Sequence, residues 1–125
     1  IVGKERIMYL YVSEKRVMDI LWKNGAMPAG KIAKIAAKSF DWNRNTTYTV
    51  IKKCIEKGYI ERIEPNYTCV PKLAEKTVQL AELSELLNEY FDGSSVRLLN
   101  ALLSVKQISK FEANEMRRAI KDKSI

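Results

Sequence analysis

A mainly α-helical fold with one small β-hairpin is predicted for this 125-residue chain. Three observations predict it. Apolar residues recur at helical spacing in six separate stretches. Two short alternating segments, at 59–63 and 67–70, flank a Pro-Asn turn. Positive charge is confined: residues 1–72 carry 14 Lys/Arg against 7 Asp/Glu, a net of +7, while residues 73–125 carry 8 of each. A basic head over 1–72 is therefore expected to precede a balanced, leucine-rich region over 73–125. The first suits a polyanion and the second suits packing or oligomerisation. A solvated basic surface without a partner would show the same excess, and charge alone leaves both readings open.

The elements of the head follow in order. Ser13 is placed to cap a first helix that turns Val17, Ile20, Leu21 and Trp22 inward. Asn24-Gly25 ends it, since glycine tolerates a left-handed backbone at a helix C-terminus. Ala26-Met27-Pro28 is a short extended link. A second helix runs from about 29 to 39, with Ile32, Ile35 and Ala36 on one face and Lys31, Lys34 and Lys38 on the other. Phe40-Asp41-Trp42 makes a turn. A third helix begins near Asn43 or Arg44 and stops at Lys57-Gly58. Thr47, Val50, Ile51, Cys54 and Ile55 form its inner stripe. Asn45, Tyr48, Thr49, Lys52 and Lys53 form its outer stripe, with only Glu56 acidic. Trp22 and Trp42 read as core and hinge packing. The hairpin follows, with Pro65-Asn66 as its turn. Three helices and then a hairpin is the order of a winged helix-turn-helix.

From Lys72 to about Tyr90 the chain reads as one helix. Leu80, Leu83, Leu87 and Tyr90 alternate three and four apart, forming an a/d seam. Glu82, Glu85 and Glu89 lie outside it as a solvated face, although carboxylates at that spacing could also bind a cation. Asp92-Gly93-Ser94 breaks the helix, and a short apolar one carries Val96, Leu98, Leu99, Leu102 and Leu103. Ser109-Lys110-Phe111-Glu112 reads as a capping box opening a last helix with Phe111, Met116, Ala119 and Ile120. These helices have no sheet to pack on. A second copy of the chain is the simplest cover for Leu80, Leu83, Leu87, Tyr90, Leu98, Leu99, Leu102, Phe111 and Met116; an intramolecular core is the alternative.

Several functions are set aside by composition. There is no histidine, which removes Ser-His and Cys-His nucleophiles and the commonest metal ligand. Cys54 and Cys69 stand fifteen apart without a second pair, so no zinc-finger spacing exists. They read as small core residues in a reducing cytosol. No enzyme, metal site or cofactor is expected. No run of eighteen apolar residues is available to span a membrane. The opening IVGKERIMYLYV is short, broken by charge and without a small-residue cleavage site, so no leader peptide is expected. It also lacks an initiator Met, which suggests numbering that begins inside a longer chain.

What remains is recognition. A helix exposing Arg, Asn, Thr and Tyr near its N-terminus can enter a major groove about 12 Å wide. Asn bonds an adenine edge, Arg prefers guanine, and the methyls or hydroxyls of Thr47 and Thr49 suit thymine or phosphate. Tyr48 is expected to contact a base or phosphate. Lysines of the second and third helices would clamp phosphates. The residues expected to meet double-stranded DNA are Lys31, Asn43, Arg44, Asn45, Thr46, Tyr48, Thr49, Lys52, Lys53 and Arg62. Taken singly, Asn43 is a cap and the lysines are solubilising; helix order, hairpin and confined charge together favour DNA. Two rivals remain: a winged-helix dimer that docks on a protein, and a ligand- or redox-sensing regulator using Cys54 and Cys69.

The stretches RVMDILWKNG and DWNRNTTYTVIKKCIEKGYIERI, the FDGS break and the leucine-rich helices after it resemble the penicillinase-repressor family, the BlaI/MecI/CopY group of bacterial repressors. The resemblance runs from about Ser13 to Lys121 and is most specific from Asp41 to Ile63. It implies a cytoplasmic homodimer with winged-helix heads and a C-terminal dimerisation region, repressing resistance or metal-homeostasis genes at a palindromic operator. It makes the third helix the recognition helix, with Asn43, Asn45, Thr46, Tyr48, Thr49 and Lys53 at its DNA-facing positions. In β-lactam-responsive members a membrane sensor system triggers cleavage in the C-terminal region, and copper-responsive members carry C-terminal cysteines. Here no cysteine follows Cys69, which points away from copper sensing. The cleavable members have an Asn-Phe bond in the leucine-rich helix; counted from Phe91, Asn100 falls one residue early here and is followed by Ala101, so cleavage at that bond is not expected. Glu64-Pro65-Asn66 gives the hairpin little basic reach, and Asn45 and Tyr48 stand where members often have Lys or Arg, so a different operator is expected.

Overall fold

The structure, a computed structural model, describes residues 10–124. The segment 1–9, which includes most of the opening judged not to be a leader, lies outside the described residues. The order is α1 (Val12–Asn24), β1 (Met27–Pro28), α2 (Ala29–Phe40), α3 (Arg44–Glu56), β2 (Ile60–Ile63), β3 (Thr68–Pro71), α4 (Glu75–Phe91), α5 (Ser95–Val105) and α6 (Lys110–Lys123). Contacts divide the chain between Ala81 and Glu82, inside α4, into two compact units.

In the first unit, α1 to α3 enclose a core of Val17, Met18, Leu21, Ile32, Ala36, Val50, Ile51 and Cys54. Each helix contributes one stripe at 3.6-residue spacing, so the three stripes can close on one another. Ser13 does not cap α1. The cap is Tyr11, which precedes it, because Glu14 reaches back and accepts from the Tyr11 backbone N–H at 2.9 Å. Between α2 and α3 the turn is made by Asp41 in a left-handed conformation (φ 58°), which lets its N–H bond the Ala37 carbonyl. This is a common way for a helix to end. Gly58, with φ 80°, closes α3 in the same sense, a conformation that glycine adopts without steric cost.

The expected hairpin is a three-stranded antiparallel sheet in the order β1-β3-β2. Met27 pairs with Cys69 and Pro28 with Thr68, so the link before α2 is a two-residue edge strand. Pro28 is tolerated there because an edge strand needs no donor on its outer side. Within β2 only Ile60 is buried, and Ile63 is exposed on the opposite face of the pleat. The indole N–H of Trp22 donates to the Leu73 carbonyl at 2.8 Å, tying the exit from β3 to α1.

The contact units divide inside α4, whereas the charge balance changes at 72/73. Val78 is buried, so the first turns of α4 pack with the head although they belong to the charge-balanced stretch. In the second unit Ser94 caps α5 through the Arg97 N–H, and Ser109 caps α6 through the Glu112 N–H. Only this half of the expected capping box forms, because the Glu112 carboxylate turns to Lys106 Nζ at 3.1 Å. No residue of α5 or α6 is buried. Among the described residues no helix is long and apolar enough to cross a membrane.

One buried charge holds α1 to the end of α3. Glu14 is 1% exposed; Lys57 Nζ donates to its Oε1 at 3.0 Å and lies 2.8 Å from its Oε2. The Lys57 ammonium also lies 4.4 Å from the Tyr11 ring centroid, close enough for a cation–π attraction. Replacing Lys57 by Met strands the carboxylate inside the protein. The expected loss is about 2 kcal/mol by urea unfolding, below the ~3–5 kcal/mol of a fully buried pair because Lys57 keeps some access to water. The double variant Glu14→Gln/Lys57→Met is expected to lose less than the sum of the single changes.

Candidate nucleic-acid interface

The inner stripe of α3 decides what its other face presents. Thr47, Val50, Ile51 and Cys54 are buried, and Arg44, Asn45, Thr46, Thr49, Lys52 and Lys53 are exposed around the rest of the helix. Thr47 is therefore excluded from the contact role considered for it. It is fully buried, with its hydroxyl 3.5 Å from the Asn43 carbonyl one turn back. Asn43 caps the helix, its Oδ1 accepting from the Thr46 N–H at 2.8 Å. That oxygen is committed to the backbone, as in any side-chain N-cap.

Tyr48 is half-buried and engaged on both sides. Its hydroxyl accepts from Arg44 Nη2 at 2.9 Å, and the guanidinium lies 4.8 Å from its ring centroid. Its ring meets Tyr67 of the sheet edge-on, at 5.6 Å between centroids and 82° between planes. Edge-to-face is a favoured geometry for two aromatic quadrupoles. Arg62 lies over Tyr67 at 3.6 Å and pairs with Glu64. That pairing holds the Glu64 carboxyl below its ordinary value. Arg62 is thus oriented along the sheet's edge with part of its fork already used. Tyr67 was absent from the residues expected at the interface. The Pro65-Asn66 turn is readable in the sequence, but the left-handed backbone at Asn66 and Tyr67 that brings this ring to α3 is not.

Lysines of α2 complete the surface. Lys31 and Lys34 line an open depression with Pro28, Gly30 and Arg44, so cations from two helices converge there. A second depression brings Tyr48 and Lys52 together with Arg62 and Tyr67. Lys53 and Lys38 stand exposed in the last turns of their helices.

A head of this geometry invites comparison with known proteins. The penicillinase repressor family model matches residues 12–122, most of the chain. This chain belongs to that family. It is 21% identical over 120 residues to the penicillinase repressor of Bacillus licheniformis, covering 94% of each chain. It is 23% identical over 113 residues to the methicillin resistance regulatory protein MecI of Staphylococcus aureus, covering 89% of this chain and 92% of that one. Among solved structures, the solution structure of the DNA-binding domain of the repressor BlaI superposes with a TM-score of 0.52 at 22% identity, over 57% of this chain and 89% of that one. The fold is accordingly a winged helix with added helices, and the family is one of repressors, not enzymes.

The cysteines bear on the redox rival. Cys54 and Cys69 are free thiols, both fully buried. Burial, with Glu14 adding negative charge nearby, pushes Cys54 from 9.0 up to about 12. Burial likewise pushes Cys69 to about 11, against the partly opposing charge of Arg62. Both sulfurs therefore stay protonated and unreactive near neutral pH. Since folding raises these values, the stability they contribute is full below pH 9 and is lost as pH climbs towards 11–12. Ellman's reagent at pH 8 is expected to leave native protein unlabelled and to label both thiols in guanidinium. Rapid labelling of native protein would restore the redox reading.

Proposed function

We propose that this chain is a homodimeric transcriptional repressor that binds a palindromic DNA operator, laying the helix at about 43–57 of each subunit in a major groove. One observation carries the reading: the polar and basic outer face of α3, flanked by Lys31 and Lys34, on the part of the chain that holds all its net positive charge. An α-helix fits a major groove about 12 Å wide. Arg44 suits the paired acceptors of guanine and Asn45 the edge of adenine, while Thr46 and Thr49 suit thymine or phosphate. Lys31, Lys34, Lys52, Lys53 and Arg62 suit phosphates. Asn43 sets where the helix starts. A relative named as a penicillinase repressor, another named as a methicillin resistance regulatory protein, and a fold shared with the DNA-binding domain of a named repressor support the same reading. A protein-docking head would need apolar residues on this face, and every exposed residue of α3 is polar.

The dimer rests on the leucine-rich helices α4 to α6. Tyr90 is 73% exposed and Phe111 75%, with Leu80, Leu83, Leu99 and Leu102 exposed too, while Leu87, Leu98 and Met116 are half-buried. Apolar surface of this extent marks an interface. A second copy supplies the matching residues, and two-fold symmetry then spaces the heads roughly 34 Å or a multiple apart on DNA.

Selection from genomic DNA fragments across a salt series tests the operator. Enrichment of a two-fold symmetric site is expected, with affinity falling about 10³–10⁵-fold between 50 and 200 mM salt if some 6–10 phosphates are neutralised. Thr49→Ala is expected to weaken the selected site more than random DNA; equal losses on both would remove Thr49 from base contact. For the dimer, sedimentation of Leu83→Glu and Leu102→Glu is expected to show monomers at concentrations where the parent chain is dimeric.

A further inference from the structure

Tyr67 lies outside every helix of the head, yet three parts of the outward surface meet at it. Its carbonyl accepts from the N–H of Ala29, the first residue of α2, at 2.9 Å. Its ring packs edge-on with Tyr48 of α3, and the Arg62 guanidinium of β2 covers that ring at 3.6 Å. Both Asn66 (φ 71°) and Tyr67 (φ 49°) occupy the left-handed region, which residues with a Cβ use sparsely. That conformation turns the ring of Tyr67 towards α3 while its carbonyl faces α2. On the other side of Tyr48, the hydroxyl holds Arg44. A Cβ on Gly30 would lie only 3.7 Å from both Arg44 Nη2 and the Tyr48 hydroxyl, so α2 borders the same pair closely.

We propose that Tyr67 is a positioning residue for base recognition, fixing the Tyr48 ring and through it the Arg44 guanidinium, without itself touching a base. The inference rests on the DNA-binding reading above. A guanidinium has five N–H donors; one given to Tyr48 leaves Nη1 and the second N–H of Nη2 for the two acceptors of guanine. Arg44 held in one orientation meets them with less rotamer freedom to lose than a mobile side chain would. Tyr67 thereby acts on guanine preference more than on general attraction to phosphate, which is shared among Lys31, Lys34, Lys52, Lys53 and Arg62.

The test uses the full chain with Tyr67→Ala, Tyr67→Phe and Tyr48→Phe, each checked for folding by circular dichroism. Affinities are measured at one salt concentration for the selected operator, for the same site with the guanine under α3 exchanged for adenine, and for random DNA. Tyr67→Ala and Tyr48→Phe are expected to lose about tenfold in guanine-over-adenine discrimination, within the range of one Arg–guanine contact, with a smaller loss on random DNA. Tyr67→Phe, which keeps the ring, is expected to match the parent chain. Equal losses by Tyr67→Ala on all three DNAs would show a merely structural role and overturn the proposal. So would parental discrimination in Tyr48→Phe, a result readable even if Tyr67→Ala does not fold. A parent chain that enriches no sequence brings down the DNA-binding reading itself; one that enriches a site without guanine under α3 overturns only the role of Tyr67.

Discussion

The burial of one stripe of α3 is the constraint on which the rest of the head depends. Thr47, Val50, Ile51 and Cys54 must leave water together, and the regular turn of an α-helix then fixes the rotation of the whole element. Everything exposed on α3 is a consequence of its core. The stripe finds partners because Val17, Met18 and Leu21 of α1 and Ile32 and Ala36 of α2 present stripes of the same period. The left-handed turn at Asp41 brings α2 and α3 together at one end, and Gly58 sends the chain into the sheet at the other. The Glu14–Lys57 pair adds a charged contact to a packing that is mostly apolar.

Much of this was legible in the sequence, for physical reasons that can be named. The helices announce themselves through their apolar periodicity, and Asn43 and Ser109 cap where short polar side chains precede such runs; Ser94, read only as part of a helix break, also caps the helix after it. Ser13 misled because it has the right chemistry at a position already inside the helix; Glu14, acting backwards on Tyr11, sets the true start. The strand at Met27–Pro28 was illegible since two residues have no period, and it exists only because Cys69 and Thr68 lie opposite. Spacing placed Asn45, Thr49, Lys52 and Lys53 on the exposed face of α3, but Tyr48 is half-buried there. The Arg44–Tyr48–Tyr67–Arg62 stack was not readable, because it joins residues whose proximity is created by the sheet.

The two units also differ in how complete they are. The first closes its own core, with fully buried residues drawn from three helices and the sheet. The second leaves its largest apolar side chains in contact with water and buries no residue of α5 or α6. Its helices carry good caps, so local structure is specified even where packing is not. Such a region gains most of its stability when the exposed surface is covered, and its order is then linked to assembly by mass action.

The edge strand at Met27–Pro28 runs without a break into Ala29, the first residue of α2. Because it pairs with β3, the wing works as a splint along the entry to that helix, reinforced by the bond from the Ala29 N–H to Tyr67. Lys31 stands just beyond the splinted joint. A wing exchanged with that of a relative would therefore carry with it the angle at which α2 leaves the sheet. In this architecture a change in the wing is felt at the lysine-bearing helix through that one joint.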